Sequence, residues 1–297
     1  MSLNNNPLVS VIITNFNYDK YVAESIDSVL GQTYKNIEVI IVDDGSTDRS
    51  REIINTYNGK NLVKCFQANS GQAAAFNTGF NKATGKYVAF LDSDDFWKSD
   101  KIEKVVAVLE KHDYCMVQHI NIVVNSSSKE MRKIHPRLTP GEIDLNRTYF
   151  SSNHTNYFSS SSGLVFKREI LDQVMPLDLT WRVCADVAIT RPMPILGKVF
   201  TLKEPLGYYR IHGANQWMNT GNQNKFLDNQ KKYIEYTNVW LEKKSFEQRL
   251  NWEKSPMFEM WKISTFPFYN PKKIWKNNWE KVLKVTKYYS DIFSYKL

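Results

Sequence analysis

The amino-terminal part of the chain alternates between short β-branched runs and stretches whose apolar residues recur three and four positions apart. Residues 8–14 read as a buried strand, and residues 21–30 then place Val22, Ile26, Val29 and Leu30 on one helical face. The next strand covers 38–42, and Ser46 stands where it would N-cap a helix carrying Ile53, Ile54 and Tyr57. A strand at 62–66, a helix at 71–82, a strand at 87–91 and a turn at Phe96-Trp97-Lys98 follow. Residues 100–111 bring Ile102, Val105, Val106 and Leu109 to one face of a further helix. Strands separated by helices of this length predict an α/β fold, with a mostly parallel open sheet flanked by helices on both faces. Folds of this kind bind ligands at the carboxyl ends of their strands.

From 125 to 162 the pattern breaks into loops around short elements, marked by Ser126-Ser127-Ser128, Pro136, Pro140-Gly141 and the serines at 159–162. A strand at 163–166 and a short helix at 168–174 are expected next, then a helix at 185–196 that Pro192 and Pro194 must break or kink. Residues 199–202 and 207–210 read as two strands. Beyond Asn224 the sequence is helical and rich in aromatics, with interruptions at Pro256, Pro267 and Pro271.

Composition narrows the class. A chain of 297 residues, 42% hydrophobic and 24% charged, suits one large domain or a domain with an appendage. No apolar run approaches the roughly 18 residues that span a bilayer. The first six residues are polar, with no basic-then-apolar leader, and Cys65, Cys115 and Cys184 lie far apart without CxxC spacing. A disulfide framework or zinc site is not expected, and the cytoplasm is the expected compartment. The net charge of +8 is concentrated in the tail: residues 225–297 carry 15 Lys and Arg against 8 Asp and Glu.

The candidate chemistry sits at strand ends. Asp92-Ser93-Asp94-Asp95 closes the run 87–91, and carboxylates so bunched suit hard cations such as Mg²⁺ or Mn²⁺. A solvated acidic turn capping the next helix would use the same residues. Thr14-Asn15-Phe16-Asn17 and Asp43-Asp44-Gly45-Ser46 end the first two strands. Together they offer a ring face and a carboxylate to a flat heterocycle, although Asp43-Asp44-Gly45-Ser46 also reads as a plain turn. No GxGxxG turn follows the first strand, which removes a dehydrogenase. Small residues open the third helix after Asn69, which fits either a bulky ligand or tight helix packing. Asp186 and His212 are isolated, and a surface carboxylate and a structural histidine are their ordinary readings.

Taken in order, these segments resemble family 2 glycosyltransferases, inverting enzymes of GT-A fold that use nucleotide sugars. The matching residues are 9–17, Gln32-Thr33-Tyr34, 41–48, Asn69-Ser70-Gly71, Asn77-Thr78-Gly79, Gly85-Lys86-Tyr87 and 90–95. A looser set follows in 162–168, Asp186 and Tyr209-Arg210-Ile211-His212. The resemblance implies that Thr14, Phe16 and Asp44 hold a uridine-type base, with Asn69, Gln72 and Asp92 also on the donor. It implies metal ligation by Asp94, Asp95 and His212, with Mn²⁺ or Mg²⁺ as cofactor and Asp186 as catalytic base. Two residues depart from the pattern. Phe76 stands where many relatives have Arg, Gln72 being the candidate replacement contact, and Ala185 stands where an acidic neighbour often precedes the base.

The expected organisation is a catalytic domain over 1–215, with a nucleotide-sugar half at 1–125 and an acceptor half at 126–215, and a basic tail over 216–297. The expected reaction moves a sugar from a nucleotide diphosphate, a UDP-sugar first among them, to a hydroxyl of a glycan or lipid-linked acceptor in cell-surface polysaccharide or glycolipid synthesis. The alternatives are a non-catalytic sugar-nucleotide-binding or scaffold protein of the same fold and, further off, a nucleotidyltransferase, whose glycine-rich phosphate loop is missing. The tail holds 17 of the chain's 40 aromatic residues, among them Trp240, Trp252, Trp261, Trp275 and Trp279. It reads as a helical appendage packed on protein, in this chain or a second copy, or as a peripheral contact at the inner membrane face. Nucleic acid is not an expected partner.

Overall fold

The computed structural model describes residues 6–136, 138–143, 158–215 and 223–251, together with Glu253 and Phe258; over 223–230 it describes the backbone alone. Two compact units emerge, one of Met1–Asp144 with Tyr157–Asn215 and one of Leu145–Asn156 with Gln216–Leu297.

The first unit is built on one sheet. Strands β1 (Val9–Asn15), β2 (Ile37–Asp44), β3 (Leu62–Gln67) and β4 (Tyr87–Asp92) pair in parallel, in the order β3-β2-β1-β4. Helices α1 (Val22–Leu30), α2 (Ser50–Thr56) and α3 (Gln72–Lys82) connect them. Every residue of β1 is buried, as a strand covered on both faces requires. Buried Val22, Ile26 and Val29 of α1 join Val11, Ile13, Ile41 and Leu91 in the core. On the other face α3 comes so close to β1 that a Cβ on Gly79 would stand 2.4 Å from Ile12 Cγ2.

After α4 (Lys101–Lys111) the sheet continues in β9 (Leu164–Lys167), β6 (Met116–Asn125), β10 (Val199–Ile211) and β5 (Phe96–Trp97). β9 and β5 run antiparallel to their neighbours, whereas β6 and β10 pair in parallel. β7 (Glu130–His135) adds to β6, and β8 (Gly141–Ile143) adds to β10. The short helices α5 (Arg168–Leu171), α6 (Asp186–Thr190) and α7 (Met193–Leu196) complete the unit.

Several expectations are corrected. Ser46 does not cap α2, whose N-cap position is Arg49; the Ser46 hydroxyl instead accepts from Asn15 Nδ2 at 3.1 Å and Asn17 N at 2.9 Å. The turn at 96–98 contains β5, and the strands at 199–202 and 207–210 join as β10, with a register shift between Leu202 and Gly207. The helix begun at Arg168 stops at Leu171, short of 174. The sequence assigned no element to 112–124, where β6 lies, because Gln118, His119 and Asn121 interrupt the apolar pattern. These polar residues are buried, and Gln118 satisfies its amide on Thr201 Oγ1 and Ser159 N. The break at Pro192 is present, between α6 and α7.

The second unit is described mainly through α8 (Gln223–Lys243). Tyr233, Ile234, Thr237, Trp240 and Leu241 are buried along one helical stripe. The chain then reverses, and Asn238 exchanges two hydrogen bonds with the Leu250 backbone while Phe246 stacks near Trp240. Trp252, Trp261, Trp275 and Trp279 lie outside the described residues, as do 144–157 and 216–222. No described helix is long and apolar enough to cross a membrane.

Candidate active site

Parallel pairing sets the ends of β1, β2 and β4 side by side, with Thr14 in register with Asp92 and Asn15 with Asp43. The turn after β2 is finished from within the protein. Asp43 accepts from Asn15 Nδ2 at 2.8 Å, Ser46 N at 3.0 Å and Arg51 Nε at 2.7 Å. Burial works against the Asp43 charge, but hydrogen bonds from Ser46, Arg51 and Asn15 prevail and hold its carboxyl below the usual range. Asp44 accepts from Gln67 Nε2 at 2.7 Å, Ser70 N at 2.9 Å and Gly71 N at 2.7 Å. The predicted base-binding carboxylate is therefore already oriented by three donors. Thr14 offers a hydroxyl with no hydrogen bond among the described residues. Phe16, half-buried, makes no ring contact among them.

The turn after β4 is different. Asp92 accepts from the Ser161 hydroxyl and from Gln72 Nε2 at 3.3 Å. Burial first, then the neighbouring Asp94 and Asp186 charges, push its carboxyl up to about 7. Asp95 is buried with both oxygens engaged, one by the Ser162 hydroxyl at 2.6 Å and one by Arg210 N at 2.9 Å. Burial and the charges of Asp94 and Asp92 raise it well above the carboxylate range. Asp94 accepts on Oδ2 from His212 Nε2 at 3.1 Å and Asn215 Nδ2 at 3.3 Å, and its Oδ1 takes no bond among the described residues. His212 Nδ1 accepts from Ala214 N, which leaves the ring hydrogen on Nε2, facing Asp94.

A network beneath these carboxylates escaped the sequence reading. Lys101, fully buried, donates to Ser162 O at 2.8 Å with its Nζ 3.3 Å from the Trp97 ring centre, Trp97 Nε1 donates to the same carbonyl, and burial lowers the Lys101 pKa well below the usual lysine range. Arg210 sends Nε to Asp94 O at 2.7 Å, Nη1 to Ser128 Oγ at 2.9 Å and Nη2 to Glu24 at 2.5 Å. Nothing in the pattern of Glu24 or Lys101 signals this, since both occupy ordinary first-turn helix positions. The serines at 161 and 162 had one signal, their place directly before a motif-bearing strand.

Asp186 opens α6, where its Oδ1 accepts from Val187 N at 3.0 Å and the nearby backbone N–H of Ser161 also favours its charge. Burial raises it to about 6 against these hydrogen bonds. It is half-buried, open to a substrate. Ser161 donates to Asp92 and its backbone lies near Asp186, so the two carboxylates belong to one site. Asn69 lies at the rim, accepting from Arg182 Nη2 at 2.6 Å. Phe76 is in the core, 4.6 Å from the Phe90 ring, so that position serves packing.

No cluster of three or more His, Cys, Asp or Glu side chains stands ready as a metal cage among the described residues. The donor chemistry nevertheless fits a hard cation. Carboxylates raised by one another's charge lack a counter-charge, and Asp94 keeps an oxygen uncommitted. His212 would join by moving its ring hydrogen to Nδ1, while Asp95 is committed to Ser162 and Arg210.

The sequence model of the family described as Glycosyl transferase family 2 matches residues 10–175. An uncharacterized glycosyltransferase of Nostoc sp. is 42% identical over 214 residues, covering 71% of this chain and 66% of its own. A Bacillus subtilis protein provisionally named teichuronic acid biosynthesis glycosyltransferase TuaG is 48% identical over 101 residues, 33% of this chain and 40% of that one. The chain thus spans less than two thirds of these relatives. Among solved structures, S. aureus TarS 1-349 in complex with UDP superposes with a TM-score of 0.62 at 18% identity, covering 90% of this chain and 74% of that one. Its complex with UDP-GlcNAc gives 0.62 at 17%, covering 96% and 80%. At that identity the likeness establishes the fold, of GT-A type, and the family match together with the strand-end carboxylates places the chain in glycosyltransferase family 2.

Proposed function

We propose that this protein transfers a sugar, with inversion, from a uridine-diphosphate donor to an acceptor hydroxyl in cell-surface polysaccharide or glycolipid synthesis. The observation that carries this reading is Ser161, which joins the strand-end Asp92 to the base candidate Asp186. The uridine donor draws support from the ligands of TarS, and the polysaccharide context from the name of TuaG.

In this reading Thr14, Phe16 and Asp44 seat the base, and Asp92 faces the ribose. Mg²⁺ or Mn²⁺, held by Asp94 and His212, would supply charge compensation for the departing diphosphate. Asp186 accepts the acceptor's proton as the new bond forms on the face opposite the diphosphate, so no covalent enzyme intermediate is needed. A base raised to about 6 is mostly ionised at pH 7 yet stronger than an ordinary carboxylate, a balance that general-base catalysis rewards.

Calorimetric titration with UDP, GDP, dTDP and CDP, each with Mn²⁺ and then EDTA, tests the donor site. Metal-dependent binding of UDP alone is expected, and indifference to every nucleotide overturns the reading. Peripheral membrane contact by the tail belongs to the same proposal, with flotation on anionic vesicles as its test. Trp240 cannot take part as it stands, because it is buried in protein.

A further inference from the structure

Both oxygens of Asp92 are held by residues whose other polar group ends on the segment bearing the base. Gln72 donates through Nε2 to Asp92 Oδ1, and its Oε1 accepts from Ala185 N at 2.8 Å. Ser161 donates its hydroxyl to Asp92 Oδ2, and its backbone N–H lies near enough to Asp186 to favour that carboxylate's charge. The base segment is also docked on the start of α3. Gln72 N donates to Arg182 O and Ala73 N to Trp181 O, both at 3.0 Å, and Arg182 reaches Asn69. Gly71, at φ 92°, permits this approach, since a Cβ there would stand 2.6 Å from Arg182 Cα. Between the docked carbonyls and Asp186, Cys184 adopts φ 57°, a left-handed conformation that a non-glycine residue holds only under surrounding constraint. Gln72 and Ser161 supply part of that constraint.

Resting on the glycosyltransferase reading, we propose that Gln72 and Ser161 are positioning residues that fix Asp186 relative to the donor seat through Asp92. Gln72 then acts on the base and does not replace the missing arginine as a grip on the donor. Binding and turnover separate these roles. A donor grip shows in nucleotide affinity, whereas a displaced base shows in turnover at unchanged affinity.

The test compares wild type with Gln72→Met, Gln72→Glu, Ser161→Ala and Ser161→Thr in the full chain. UDP affinity is measured by calorimetry in Mn²⁺, and UDP release from UDP-glucose, UDP-galactose and UDP-N-acetylglucosamine gives kcat and KM. Gln72→Met is expected to keep UDP affinity within about threefold while kcat falls about 10–100-fold. Gln72→Glu, which keeps the Ala185 contact but repels Asp92, is expected to fall as far. Ser161→Ala is expected to lose turnover in the same way and Ser161→Thr to restore it. If Gln72→Met weakens UDP binding as much as it slows turnover, or if kcat is unchanged, the positioning role is overturned. Should Gln72→Met fail to fold in a thermal melt, the Ser161 pair decides alone. Wild-type protein that releases UDP from none of the donors overturns the glycosyltransferase reading itself, and the positioning role with it.

Discussion

The turns after β2 and β4 are alike in sequence, each a group of aspartates closing a buried strand, yet they are opposites in electrostatics. After β2, Asp43 and Asp44 receive six donors between them, one an arginine, and Asp43 is held low. After β4, the partners of Asp92 and Asp95 are hydroxyls, an amide and a backbone N–H, and both carboxyls are pushed up. An acidic pair that the fold neutralises is scaffold. One that it leaves short of positive charge is a place for something that brings charge with it.

The contrast can be broken most severely at the base. Asp186→Asn should cost about 10²–10⁴-fold in transfer while UDP affinity stays near wild type; full transfer by this variant removes Asp186 from the mechanism. Asp94→Ala should weaken Mn²⁺-dependent UDP binding at least about tenfold, with little effect in EDTA. Equal loss in both conditions would mean that Asp94 does not act through a cation. Transfer should fall about tenfold between pH 7 and pH 5, with a midpoint near 6, as Asp186 takes up its proton.

The smallest effects concern stability, and they have opposite signs. The Asp43 pKa is lower folded than unfolded, so its contribution is present above about pH 4 and is lost as pH falls through the folded value. Asp43→Asn should therefore destabilise at pH 7, by about 1–3 kcal/mol, because Arg51 and Ser46 N lose an ionised partner. The Asp92 pKa is higher folded than unfolded, so its charge reduces stability progressively as pH rises from about 4 to about 7. Asp92→Asn should raise the metal-free melting temperature at pH 7. Matching signs in the two melts would erase the contrast.

The strand–helix alternation through residue 111, β5 apart, was legible because most elements there have a period and a buried face. β6 was not, since its polar residues are satisfied by partners far away in sequence, such as Thr201 and Ser159. The strand-end carboxylates were legible as a group, but their division of labour was not. Ser46 looks like a helix cap and instead serves Asn15 and Asn17, and nothing local to Asp95 shows that Arg210 and Ser162 hold it. The roles of Lys101 and Glu24 could not have been found, because their partners, Ser162 O for one and Arg210 for the other, are far away in sequence and leave no local trace.

Arg210 ties together Glu24, Asp94, Asn125, Ser126 and Ser128, segments spread over most of the first unit. All the residues expected to bind nucleotide lie before residue 100, yet the carbonyl of Asp94 and an oxygen of Asp95 are anchored by an arginine on β10. During synthesis, then, the acidic turn must wait for β10. A nascent chain that has emerged only through Asp95 already carries every aspartate of the two turns, but it lacks the cross-brace that aims them. The site is thus among the last parts of this unit to gain its full set of contacts.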